Sequence, residues 1–427
     1  METIKIKINK LGRVTNSQLE LLPFVIFSGE SGLGKSYLAL LCHYFYELLV
    51  SSSLLTRFFD REGYDYKVLS KNFHNEGLAL EISKTELERW LSENAINYIG
   101  TMLGNNNLTG SIEVTLPAVV PSKLSFRFKE ELTGLVNAED VDIILSMDSL
   151  KYRVGNAILG EESPFAFLLR FELITYLFGD FQSLDSSFVF PPSRGPVLTE
   201  LLTAQTGMYS HFLQDLNELN RKKDLTTPAS ENMLKLFYKI LEGDVKREDN
   251  KYLYQTSHMD NPIPISAAAA SVREIAPLEL LVKKVNISAS SLLIEEPEAH
   301  LHPLKQRMMA DILSAFANSG CFIQVTTHSD YLIRRLNELI KLYKVKEQVK
   351  DENRFLELCE SIDTLPELCL PSNIIGAYVL KPNGDGSSQI EQQKLYDGVP
   401  YITFGEAIDR SMDTERKIEE ELSNVSK

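Results

Sequence analysis

The stretch Val25-Ile26-Phe27-Ser28-Gly29-Glu30-Ser31-Gly32-Leu33-Gly34-Lys35-Ser36 decides how the rest of the chain reads. A short continuous apolar run between Pro23 and Gly29 suits a buried central strand. The run after Ser36, YLALLCHYFYELLV, is apolar and long enough to be a buried helix. Between them, Gly29 to Ser36 fits G-x-x-x-x-G-K-[ST] in full. Glycines there let backbone N–H groups wrap a phosphate, and the helix N-terminus adds a favourable dipole. A chance glycine turn would lack one flank or the other. The loop Gly29, Glu30, Ser31, Gly32, Leu33, Gly34, Lys35 and Ser36 is therefore expected to hold ATP, with Lys35 reaching the β- and γ-phosphates and Ser36 binding Mg²⁺. Lys35 is expected to face solvent in the empty loop.

Two further segments supply chemistry that such a loop needs. In SSLLIEEPEAHLHP, an apolar strand ends in Glu295 and Glu296. Ligands bind at the C-terminal ends of parallel strands. Glu295 is expected to hold the Mg²⁺ shell, and Glu296 to act as general base on the attacking water. A Glu-Glu pair alone reads as a solvated strand end; here it follows a buried strand in a chain that already has a phosphate loop. In CFIQVTTHSDYL, another strand ends at Thr327-His328-Ser329, which puts His328 where it can bond a γ-phosphate. A lone histidine is more often structural; its place at this strand end favours catalysis.

Composition sets bounds around these motifs. The 427 residues exceed the usual single-core size of about 250–300, so more than one lobe is expected. A net charge of −15 disfavours broad, sequence-independent DNA binding, which needs many Lys/Arg–phosphate contacts. Cys42, Cys321, Cys359 and Cys369 form no C-x-x-C pair, so neither a zinc ribbon nor a disulfide framework is suggested. No apolar signal core or membrane-length run is present, and a cytoplasmic protein is expected. The alternation of LELLVKKV, SSLLIEE, PLKQRMMADILSAFAN, CFIQVTT and SDYLIRRLNELIKLY predicts a parallel α/β sheet with crossover helices. TIKIKI alternates as a half-buried strand. We expect a discontinuous core over 1–50 and 190–345, a mixed β/helical lobe over 51–189, a helical insert over 200–260, and a strand–helix extension over 346–427.

Together the three motifs resemble the ABC-type ATPases of the RecF/SMC superfamily. EEPEAHLHP followed by THSDYLI is especially similar to the ATPase part of the overcoming-lysogenisation-defect (OLD) proteins and their relatives in bacterial phage defence. The resemblance implies an α/β, P-loop ABC-type head with a mixed sheet, N-terminal antiparallel strands and an inserted, mostly helical lobe. It makes Gly29–Ser36 the Walker A loop, Glu295-Glu296 the end of the Walker B strand, residues 298–303 the D-loop region and His328 the switch histidine. FPPSRG resembles a Pro-x-x-Arg motif of these ATPases, with Arg194 a candidate contact. The signature segment, which would reach nucleotide on a second protomer, falls on PISAAAASVREIAPLELL. Ser266 and Ser271 are its candidate contacts, while alanines fill positions where Ser or Gly is usual. As a bare sequence, SAAAAS is also simply a good helix start.

OLD nucleases continue into a Toprim domain with a metal-binding carboxylate cluster. The Asp140-Val141-Asp142 triplet precedes a strand instead of ending one, and no HNH-like cluster is present, so no nuclease is expected. The resemblance then implies a switch that works through partners: a homo-oligomer (a head-to-head dimer or a larger ring of dimers), a separate effector nuclease, and a phage-encoded protein trigger. The nearest likeness is to the AriA-like ATPase subunit of the phage anti-restriction-induced system. Alternatives are a Septu-type ATPase paired with an HNH nuclease, a RecF-like repair ATPase that binds DNA directly, and a nucleotide-binding scaffold without turnover. An acidic trigger would need a local basic patch, for which Arg221-Lys222-Lys223, Lys246-Arg247 and Arg334-Arg335 are the candidates.

Overall fold

The computed structural model describes residues 3–64, 79–132, 141–147, 150–154, 163–180, 182–198, 207–225, 227–249, 251–259, 261–349, 351–395, 398–399 and 402–425. Of the Asp140-Val141-Asp142 triplet, Asp140 lies outside these residues. A nine-stranded mixed sheet organises the molecule. Its parallel block runs in the order β15 (Ile375–Pro382), β3 (Phe24–Gly29), β14 (Phe322–Thr327), β13 (Ser290–Glu295) and β9 (Ser186–Phe190). Beyond β15 the order continues through β16 (Ser388–Gln392), β2 (Val14–Glu20), β1 (Lys5–Leu11) and β5 (Gly110–Thr115), and β1 pairs antiparallel with both β2 and β5.

The block is parallel because helices cover both of its faces. On β3, Val25 and Phe27 enter one hydrophobic core, while Phe24 and Ile26 enter the other. Alternation of side chains along a strand dictates this division, and it explains why the run reads as uniformly apolar. The first core packs α1 (Lys35–Val50), α2 (Ser52–Arg61), α3 (Lys84–Met102) and α4 (Pro164–Phe178). The second packs α5 (Gly207–Leu219), α6 (Pro228–Leu241), α7 (Ala270–Lys284), α8 (Pro303–Asn318) and α9 (Asp330–Gln348). A separate antiparallel sheet, β4 (Ala79–Ser83), β6 (Lys123–Leu132), β7 (Val141–Met147) and β8 (Leu150–Val154), belongs to the segment after α2. Two more helices, α10 (Glu352–Ser361) and α11 (Ile402–Val425), lie in the last part of the chain.

The segment expected as a helical insert carries α5 and α6 but also a small sheet, β10 (Gly243–Glu248), β11 (Lys251–Thr256) and β12 (Ile263–Pro264). KYLYQT is rich in aromatic and branched residues, which suits a strand. Asp249 takes a left-handed φ of 46° at the turn, a conformation aspartate tolerates better than most residues. Among the described residues no single helix is long and apolar enough to cross a membrane. All four cysteines are buried and free.

Candidate active site

Strands β3, β14 and β13 are neighbours and point the same way, so their C-terminal ends open on one edge. The chain after β3 forms the phosphate loop. Gly29 has φ 129°, and a Cβ there would lie 2.7 Å from the Leu380 carbonyl oxygen of β15, so only glycine fits. Gly34 begins α1 with φ 107° and no side-chain cap, leaving the first turn of the helix for an anion. Lys35 is not solvent-facing, as the sequence suggested. It is 7% exposed, and its Nζ donates to the carbonyl oxygens of Gly29 (3.0 Å) and Glu30 (2.8 Å). An ammonium without a phosphate finds the nearest acceptors, which are the loop's own carbonyls. Burial pushes its pKa down to about 8, against the opposing pull of Glu296, Glu295 and Glu298.

Glu295 ends β13 and is 5% exposed. Its carboxylate lies beside the Ser36 hydroxyl, and its Oε1 is buried with no hydrogen-bond partner among the described residues. Burial pushes its carboxyl up to about 7, with Glu296 adding to the rise and Ser36, Lys35 and Arg194 opposing it. A buried carboxylate oxygen lacking a donor, beside a hydroxyl, is the donor set a divalent cation would complete. The residues thus fit Mg²⁺. Glu296 follows with φ 45°, a left-handed conformation worth roughly 1–2 kcal/mol of strain for a non-glycine residue. Its N–H donates to the Thr326 carbonyl oxygen (3.0 Å), which fixes the strained turn and leaves the side chain 43% exposed. Strain of this kind clusters at functional sites.

His328 follows β14, and its Nε2 is 3.8 Å from Glu296 Oε1. Burial and the Lys35 charge lower its pKa, while Glu296 opposes them, so the imidazole favours its neutral form. Lys35, Ser36, Glu295, Glu296 and His328 therefore come together on one strand edge. Ser266 and Ser271 do not join them within one chain. Ser266 is exposed in a short 3₁₀ turn, Ser271 is half-buried in the first turn of α7, and no hydrogen bond links either to the other five among the described residues.

Arg194, a candidate contact by its motif, is held by backbone and Glu274, with its Nη2 lacking a hydrogen-bond partner among the described residues. It is fully buried: its Nε donates to the Glu274 carbonyl oxygen (2.8 Å) and its Nη1 to the Glu295 carbonyl oxygen (3.0 Å), while its backbone N–H donates to Glu274 Oε2 (2.8 Å). It therefore ties α7 to the end of β13 from behind. Gly195 permits the approach, since a Cβ there would sit 2.8 Å from Glu274 Oε1. Arg334-Arg335 is no free patch. Arg335 is 6% exposed and pairs with Asp311 (2.7 Å) and Glu338 (3.0 Å), and Arg334 pairs with Asp330. A charge on the buried face of α9 has to be paired. Arg221, Lys222 and Lys223 are exposed, as are Lys246 and Arg247, whose guanidinium lies over the Tyr252 ring.

Sequence reading gave no role to Glu298 beyond its place in the D-loop match. Its buried carboxylate accepts from the Thr327 hydroxyl (2.8 Å) and the His328 N–H (2.7 Å). A third acid two residues past Glu296, in a turn leaving a buried strand, was the available signal.

In comparisons with known proteins, the AAA ATPase domain family matches residues 198–333. That span holds both carboxylates and His328 but not the phosphate loop, and it supports an ATPase. No curated protein matches. Among solved structures, the chain is similar to an SMC head bound to the C-winged helix domain of ScpA (TM-score 0.38, 11% identity, 92% of this chain and 98% of that one). It is also similar to the SMC head domain from Thermotoga maritima (0.33, 12%, 92% and 100%). A third likeness is to the Pyrococcus furiosus Smc head with an extended coiled coil, bound to the C-terminal domain of ScpA (0.36, 10%, 98% and 99%). At these TM-scores the likenesses add nothing to the fold read from the strand order.

Proposed function

We propose that the chain is an ATP-hydrolysing switch of the RecF/SMC-like ABC type. The observation that carries the reading is the convergence of Lys35, Ser36, Glu295, Glu296 and His328 at three adjacent strand ends, with Ser36 beside Glu295. Lys35 exchanges the carbonyls of Gly29 and Glu30 for phosphate oxygens. Ser36 and Glu295 would hold Mg²⁺, which would supply positive charge against the charge that builds up on the phosphates. Glu296 takes a proton from water as its oxygen adds to the γ-phosphorus. The bond to the bridging oxygen breaks and ADP leaves. Neutral His328 donates one N–H to the γ-phosphate.

Ser266 and Ser271 lie outside this cluster, which suits a composite site closed by a second copy. Such pairs usually form about a two-fold axis. In this reading ATP joins two heads and hydrolysis parts them. The switch serves an antiphage system: it answers a phage-encoded protein trigger and controls a separate effector nuclease. Exposed Arg221, Lys222 and Lys223 make the insert the preferred trigger surface.

Phosphate release from Mg·ATP by the purified chain tests the core of this reading. Lys35→Ala should lose ATP binding while the fold persists; unchanged affinity in that variant rejects the site. Light scattering should show ATP-dependent dimers. Tight DNA binding that weakens steeply with salt would instead favour the RecF-like repair reading.

A further inference from the structure

The turn after β13 and the end of β14 are joined by a side chain that the catalytic reading leaves unused. Residues 296–301 form a tight turn. The Ala299 N–H donates to the Glu296 carbonyl oxygen (3.0 Å), and the Leu301 N–H to that of Glu298 (3.1 Å). Two non-glycine residues, Glu296 and His300, are left-handed within it. Such a turn has little intrinsic preference for its shape and needs outside fixing. Glu298 supplies it. Its carboxylate reaches across to β14, where one oxygen accepts both the Thr327 hydroxyl and the His328 N–H. Thr327 Oγ1 in turn accepts the Ser329 N–H (3.0 Å).

A second thread runs beside the first. Gln306 Nε2 donates to the Leu301 carbonyl oxygen (2.9 Å), and its Oε1 accepts from the Ser329 hydroxyl (2.5 Å). Ser329 caps α9 by accepting the Leu332 N–H (3.0 Å). The turn that carries Glu296 and the turn that carries His328 are thus one hydrogen-bonded body, with Glu298 at its centre. Glu298 is 8% exposed, and its second oxygen, Oε2, is buried with no hydrogen-bond partner among the described residues. A merely space-filling residue here would be apolar, because a buried carboxylate costs free energy unless its bonds are used.

We propose that Glu298 is a positioning residue for hydrolysis, which holds the His328 backbone so that the imidazole and the Glu296 carboxylate face the same γ-phosphate. The inference rests on the ATPase reading above. Glu298 acts through the His328 backbone, to which it is bonded. Loss of the bridge leaves phosphate binding to Lys35 and Ser36 and removes the alignment that speeds the chemical step.

The test uses the full chain. Glu298→Ala should lower kcat for ATP by roughly 10- to 100-fold with KM changed less than about threefold, as befits lost positioning with retained binding. Glu298→Gln keeps the accepting oxygen and should recover most of that loss. On a His328→Ala background, Glu298→Ala should cost far less than it does in the unmodified chain, because most of its effect passes through the histidine. Multiplying losses in the double variant, or parallel losses of kcat and ATP affinity, overturn the proposal. Amide hydrogen exchange provides a readout independent of turnover. Protection of the His328 amide should fall in Glu298→Ala while the strands of the parallel block stay protected; unchanged protection also overturns it. If the unmodified chain hydrolyses no ATP, the ATPase reading fails, and exchange alone still decides whether Glu298 holds His328.

Discussion

The phosphate edge and the insert meet the same sheet in opposite ways. At the edge, side chains are placed by strand ends: β3, β14 and β13 run side by side, and whatever follows each strand is delivered to one line. In the insert, placement is tertiary. The hairpin of β10 and β11 is held to α7 because the Val245 N–H donates to Glu279 (3.1 Å) and Lys283 bonds both Asp244 (2.6 Å) and the Val245 carbonyl oxygen (2.6 Å). The edge can lose a functional group and keep its shape, whereas the insert and its seams depend on pairs that fail when one partner goes.

Chemistry at the edge should therefore separate cleanly from folding. Glu296→Gln keeps the volume of the side chain and removes its basicity. We expect ATP turnover to drop by roughly 10²–10⁴-fold, the usual worth of a placed general base. The melting temperature should stay unchanged, because the side chain is 43% exposed and its backbone bonds remain. ATP-bound dimers should accumulate. If Glu295→Gln gives the trapped state instead, the two carboxylates have exchanged roles.

How legible each region was follows from the same difference. Gly29–Ser36 and Glu295-Glu296 could be read because a loop that wraps phosphate needs glycines and a lysine at fixed spacing, whatever surrounds it. The β10–β11 hairpin was missed because GDVKRE is short and strongly charged, and it is antiparallel pairing with KYLYQT, from Gly243↔Thr256 to Glu248↔Lys251, that makes it a strand. The surroundings of Arg194 were hidden for a related reason. Its motif marked it as important, but a sequence does not say whether an arginine faces ligand or backbone. Lys35 was misjudged as to exposure, because the backbone carbonyls that hold its Nζ have no sequence signature.

Arg194 lies where the two regions join, and its removal should cost folding more than chemistry. Arg194→Ala leaves the Glu274 and Glu295 carbonyl oxygens without their buried donors and removes the charge that pairs with the Glu274 carboxylate, which keeps only the backbone N–H of residue 194. Breaking such a buried charge pair costs roughly 3–5 kcal/mol. Chemical denaturation should show a midpoint shifted by that amount. A stable variant with lost ATP binding would return Arg194 to the nucleotide.

The smallest expected effect concerns the seam between α1 and the insert helix α5, and it depends on pH. Glu47 of α1 and Asp215 of α5 are both half-buried carboxylates at this seam. Burial pushes Glu47 up to about 7, with the nearby Glu218 adding and a bond to Ser187 opposing. Asp215 is raised well above its usual range by burial and then by Glu47, while the Val189 N–H and Lys222 pull the other way. His43 Nδ1 lies 3.3 Å from Ser187 Oγ, and burial pushes this histidine down to about 3, so it stays neutral and offers no balancing charge; burial lowers His211 too. Tyr98 completes the surroundings with a buried hydroxyl that has no hydrogen-bond partner among the described residues. Both acids bind their proton more tightly folded than unfolded. Their contribution is then fully present below the unfolded value and is lost as pH rises through the folded one. For Glu47 that window runs from 4.5 to about 7. Native stability should therefore fall across it by about 1–2 kcal/mol from this group, a value reduced for partial solvent access. Glu47→Gln keeps the neutral shape at every pH. It should leave the denaturation midpoint unchanged near pH 4.5, raise it at pH 8, and flatten the profile between. Asp215→Asn should act in the same direction, and the two together should give less than their sum, since the Glu47 charge raises Asp215. A profile whose slope survives both substitutions would show that the acids do not share the seam, and that α5 meets α1 as independently as the phosphate edge meets its own helices.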